Sequence, residues 1–186
     1  PQIWIDGVID IYCRAYGLLE RGKQMMGDVI YELYDEAGVF KACDEENWRE
    51  LVTEKSKNVT FEAIYNKMES KRQELSDGKV KVGFDTMDAY ARLLDRLQAF
   101  HRSYSIEHQL FGTSEGIGID ELIGNDDVTV LESKGLENTF RNFIFGVITS
   151  GFYKFALAQE NGFFSDDQYE TILIVEEANE ILTGND

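Results

Sequence analysis

The chain has 186 residues, of which 43% are apolar and 12% aromatic, enough to bury a core and too many for a disordered tail. Eighteen Lys and Arg against 35 Asp and Glu leave a formal net charge of −17, which disfavours nucleic-acid binding because that affinity comes mainly from neutralising phosphates. Two isolated cysteines, one proline at position 1, no bilayer-length apolar run and no signal-peptide pattern argue against a disulfide framework, a zinc site, a turn-rich all-β fold and a membrane span.

The length fits one large domain or two small lobes. Trp4, Val8, Ile11, Tyr12, Ala15 and Leu19 recur at helical spacing. Met25/Met26, Val29/Ile30, Leu33 and Ala37 predict a second helix that stops at Gly38, and Gly17 and Gly22 soften the joint between the two. Trp48 and Leu51 suggest a short helix in the charged stretch 41–57. Thr60 is a natural N-cap for a helix lined by Phe61, Ile64/Tyr65, Met68 and Leu75, which Ser76-Asp77-Gly78 ends. Another helix opens at Thr86 and carries Met87, Tyr90, Leu94, Leu97 and His101 on one face.

The character changes after Gly112. Thr113-Ser-Glu-Gly-Ile-Gly118 reads as a loop, and Asn125-Asp126-Asp127 as a turn. Val128-Thr-Val-Leu131 reads as a β-branched strand, residues 136–158 as a long helix, and Ile172–Val175 as a second strand. Strand, helix and strand in that order predict a right-handed βαβ crossover with parallel strands. Both strands are apolar runs without alternation, the pattern of a sheet covered on both faces. The expected fold class is therefore α/β and mostly helical, with a helical lobe at 1–112 and part of a parallel sheet at 113–186.

The run Thr171-Ile-Leu-Ile-Val-Glu-Glu-Ala-Asn-Glu180 carries two adjacent carboxylates, Glu176 and Glu177, at the end of four apolar β-formers. This is the shape of a Walker B element, in which the first acid holds Mg²⁺, directly or through water, and the second polarises the attacking water. The bland alternative is a Glu-rich helix whose first turn favours acids. The phosphate-binding pattern G-x-x-x-x-G-K-[ST] occurs nowhere in the sequence. Ser133 and Lys134, after the first strand, line either a nucleotide site or a simple glycine turn. Arg141 in the first turn of the long helix pairs with Glu137 or reaches a phosphate. His101 and His108 have no metal-ligand spacing, no nucleophile elbow is present, and the helical tyrosines read as core.

In these residues the chain resembles the HerA/FtsK superfamily of ring-forming P-loop motors, closest to members that energise conjugation and type IV secretion and to their archaeal and mobile-element relatives. Gly17-Leu-Leu-Glu-Arg-Gly-Lys23 with Met26–Asp35 resembles the start of that family's helical insertion, which lies between the Walker A helix and the later strands. Phe111-Gly112 and Ile119-Asp-Glu-Leu-Ile-Gly124 running into Val128–Leu131 resemble its exit into a core strand. Glu176-Glu177-Ala178-Asn179 is similar to the acidic signature after the Walker B strand, with Glu where Asp is commoner and Asn where many relatives have His.

The resemblance implies a RecA-like core, Glu177 as catalytic acid, Glu176 on the Mg²⁺ side, and ATP and Mg²⁺ as cofactors of an intact parent. It implies a hexameric ring that moves DNA or protein through parts outside this chain, and by itself the chain is expected to hydrolyse no ATP. The acidic lobe is expected to meet protein partners, in a cytoplasmic setting tied to a membrane, if at all, through partners. The rival expectation is a stand-alone acidic helical interaction or adaptor module without catalysis. A carboxylate metalloenzyme ranks last.

Overall fold

The computed structural model describes residues 2–77, 84–114, 116, 122, 129–160 and 174. The chain divides into two compact units, Pro1–Gly116 and Ile117–Asp186.

Among the described residues the first unit has seven helices: α1 (Gln2–Ala15), α2 (Glu20–Glu36), α3 (Val39–Ala42), α4 (Trp48–Ser56), α5 (Phe61–Ser76), α6 (Phe84–His101) and α7 (Ile106–Phe111). The stop at Gly38 follows from geometry. Its φ of 74° is left-handed, which costs a side chain energy but not glycine, and its N–H bonds the carbonyl of Asp35, 2.9 Å away. Thr60 caps α5 as its position in the sequence predicts, its hydroxyl accepting from the N–H of Ala63 at 3.2 Å. Two short helices, α3 and α7, were not expected. Ser105 caps α7 by accepting from the N–H of His108.

α5 and α6 form the closest pair, and α2 packs on both. The core draws Ile5, Ile9 and Tyr12 from α1, Met26, Val29 and Ile30 from α2, Phe61, Ile64 and Met68 from α5, and Leu93, Leu94, Leu97 and Phe100 from α6. An aromatic cluster sits where α1, α5, α6 and α7 meet. Tyr12 stacks on Tyr16 with centroids 4.5 Å apart, and Phe111 stands edge-on to Phe61 at 6.1 Å. On the surface, Lys67 and Lys71 of α5 bind Glu32 of α2 at 2.9 and 2.6 Å. Of the helical tyrosines, Tyr12 is fully buried, and half-buried Tyr31 stacks on Phe40.

In the second unit the described residues form an irregular run from Thr129, a turn at Lys134-Gly135, and α8 (Asn138–Glu160). The expected βαβ part of a parallel sheet is not found: among the described residues there is no strand. Residues 129–131 belong to no ladder, and Val130 and Leu131 are 81% and 52% exposed. Of Ile172–Val175 only Ile174 is described, without regular structure and 81% exposed. β-branched composition suits a pleated, covered surface but does not create one, and a parallel strand holds only against neighbours that supply its hydrogen bonds and cover its faces.

Phe140 and Phe143 near the start of α8 are buried, whereas Tyr153 is 65% exposed. No helix among the described residues is long and apolar enough to cross a membrane.

Candidate functional site

The acidic pair Glu176-Glu177, with Ala178 and Asn179, lies outside the described residues. The other residues read with it, Ser133, Lys134 and Arg141, are described. Thr129 donates its hydroxyl to the carbonyl of Leu122 at 3.0 Å. A turn then brings the N–H of Leu136 to the carbonyl of Ser133, leaving Ser133 half-buried and Lys134 exposed. Glu137 closes the start of α8: its carboxylate accepts from the N–H of Phe140 and from the Thr139 hydroxyl. An acid at this end of a helix is favoured by the unpaired N–H groups and the dipole. Arg141, expected to pair with Glu137 or a phosphate, donates to Oδ1 of Asn138 at 2.8 Å.

A groove lies between α1 and α2. It is open, about 780 Å³ in volume, and lined by Asp6, Asp10, Glu20, Arg21, Lys23 and Asp28 among others. The segment beside it reads Gly17-Leu-Leu-Glu-Arg-Gly-Lys-Gln24, which differs from a phosphate loop only in having Gln where Ser or Thr is required.

The structure shows why the likeness carries no phosphate chemistry. A phosphate loop follows a strand and presents free N–H groups, but here helix α1 precedes the segment, and Gly22 and Lys23 already lie inside α2. Lys23 forms an ion pair with Asp10, whose hydrogen bond is the main reason the Lys23 ammonium is held more basic than usual. Asp6 accepts from the Tyr31 hydroxyl at 2.8 Å, which pushes the Tyr31 phenol up. Arg21 donates to Thr86 of α6. Four carboxylates face two cations, one of them already paired, so an entering triphosphate meets net repulsion.

Three further side chains among the described residues, Cys13, His101 and His108, are held by burial or packing. Burial pushes the Cys13 thiol up to about 11, away from nucleophilic use at neutral pH. His101 lies flat on Tyr65, ring centroids 4.3 Å apart, and its Nδ1 stands 4.0 Å from a Glu62 carboxylate oxygen. Nδ1 of His108 is 2.9 Å from the carbonyl of Phe100. Among the described residues no group of three or more His, Cys, Asp and Glu is placed to hold a metal ion.

Compared with protein-family models, curated proteins and solved structures, the chain matches none.

Proposed function

We propose that this chain is a portion of an ATP-hydrolysing, HerA/FtsK-like ring translocase that moves DNA or protein. The observation that carries the reading is the apolar run Ile172–Val175 leading straight into Glu176-Glu177-Ala178-Asn179, set after a long apolar helix, α8. Under this reading Glu177 is the acid that polarises the attacking water, and Glu176 faces the magnesium ion that accompanies ATP. The α1–α2 groove does not fit a triphosphate, so the phosphates would be cradled by polypeptide other than Gly17–Gln24. The parent would be a hexameric, cytoplasmic assembly, with the acidic helical unit turned toward protein partners and away from nucleic acid.

The test is ATP turnover and ATP-dependent assembly of the full native gene product, with and without Glu177→Gln. The variant is expected to retain bound ATP while losing about 100-fold or more of its turnover. A native product that neither assembles with ATP nor turns it over, or a variant indistinguishable from it, overturns the reading.

A second reading, an acidic helical interaction module without catalysis, is favoured by the wholly helical regular structure of the described residues. It predicts that Glu177→Gln changes nothing.

A further inference from the structure

α4 stands apart from the other helices of the first unit. None of its nine residues is buried, and its main neighbour is the four-residue α3. Leu51, Val52, Lys55 and Ser56 are half-buried and form one stripe at helical spacing, and Trp48 continues that stripe one turn earlier with its indole 39% exposed. A nine-residue helix is marginal alone and ordinarily rests on a well-covered apolar face. Here that face is only partly covered.

Most of the carboxylates around the stripe are uncommitted among the described residues. Glu54 pairs with Lys57 at 2.6 Å. By contrast Asp44, Glu45, Glu46 and Glu50 are exposed and engage no partner among the described residues, whereas Glu32 and Glu36 spend their charge on α5 lysines. The guanidinium of Arg49 lies over the Trp48 ring, 5.4 Å from its centroid, so this indole face already accepts a cation. Exposed tryptophan beside half-covered aliphatic side chains is the composition of an interface anchor. The unspent carboxylates select a cationic occupant and repel nucleic acid.

We propose that the turn at 43–47 and the Trp48–Leu51–Val52 face of α4 form a docking surface for an amphipathic, Lys/Arg-bearing segment of a partner protein. Trp48 packs against the partner's apolar side chains. Asp44, Glu45, Glu46 and Glu50 meet its cations, which also compete with Arg49 for the indole. The surface exists whether or not the parent is a motor.

The test uses the full chain and a synthetic amphipathic helix of Leu and Lys, with a Leu and Glu helix of the same length as control. Trp4→Phe leaves Trp48 as the sole indole, so its emission reports the face directly. The Lys peptide is expected to bind saturably, shift Trp48 emission to shorter wavelength and weaken as salt is raised from roughly 50 to 300 mM. The Glu peptide is expected not to bind. Glu45→Lys/Glu46→Lys should weaken binding about tenfold or more, while Glu74→Lys/Asp95→Lys, an equal charge change on exposed positions of α5 and α6, should stay within about twofold. Equal weakening by both pairs would show attraction to the chain's overall charge and overturn the proposal. So would an unmoved Trp48 emission. Self-association of the peptide-free protein that Trp48→Ala abolishes would assign the face to a second copy instead.

Discussion

Phe61 and Phe100 stack nearly face to face, ring centroids 4.5 Å apart and planes 22° from parallel, tying α5 to α6 at the point where α1 and α7 also arrive. Phe100 is fully buried and touches Tyr12, Tyr16, Phe61 and Phe111. Removing its ring leaves a void bordered by four helices, and such a void does not collapse easily. Phe100→Ala is expected to cost about 3–5 kcal/mol in urea unfolding, and Phe100→Leu under half of that.

The cross-helix cluster of Glu32 with Lys67 and Lys71 makes a pH-dependent contribution. Hydrogen bonds first from Lys71 and then from Lys67 hold the Glu32 carboxyl below its usual range. A lowered native pKa means that the stabilisation is complete above the unfolded-state value and is lost as pH falls through the native one. The Glu32 side chain is 37% exposed, so solvent screening limits the effect to about 0.5–1 kcal/mol. Glu32→Gln should unfold more easily at neutral pH, and the gap from wild type should close as pH falls through the lowered native value and shrink in high salt.

Thiol reactivity separates the two cysteines. With its pKa pushed up to about 11, mainly by burial, Cys13 presents about one thousandth of its molecules as thiolate at pH 8. Brief iodoacetamide treatment followed by peptide mass mapping should label half-buried Cys43 first, and Cys13 only in denaturant or as the pH approaches its raised value.

Helix boundaries give a paired test. Thr60→Ala removes the acceptor for the Ala63 N–H and should cost about 1 kcal/mol, while Thr60→Ser should cost little. Gly38→Ala places a Cβ at φ 74° and should cost about 1 kcal/mol for backbone reasons alone. Thermal melts of the variants check both.

The long helices were legible because each writes its own rule locally: a 3.6-residue period, a hydroxyl at Thr60, a glycine at Gly38. Four-residue α3 and six-residue α7 are too short to show a period, and for α7 the Ser105 cap was the one signal on offer. Val128–Leu131 was misread because strand identity depends on neighbours that the segment itself does not encode. The lone ring nitrogen–carboxylate approach of His101 to Glu62 was equally invisible, since 39 positions separate two residues that only packing brings together. Of the site, the sequence supplied the acidic pair and its apolar approach. It also contained the Gly17–Gln24 near-match, whose meaning rested on four carboxylates spread over two helices.

The order of helix pairing has a kinetic consequence. α1 with α2, α2 with α3, α3 with α4, α5 with α6 and α6 with α7 are all neighbours along the chain, and the closures that bring α2 against α5 and α6 span longer loops. Mostly local contacts carry a small loop-closure cost, so these hairpins are expected to form early and fast. The arrival of the α5–α6 hairpin on α2 is expected to follow, and it seals Tyr12 beneath Phe61 and Phe100. Until that hairpin arrives, α1 to α4 would leave the aromatic floor around Tyr12 open to water.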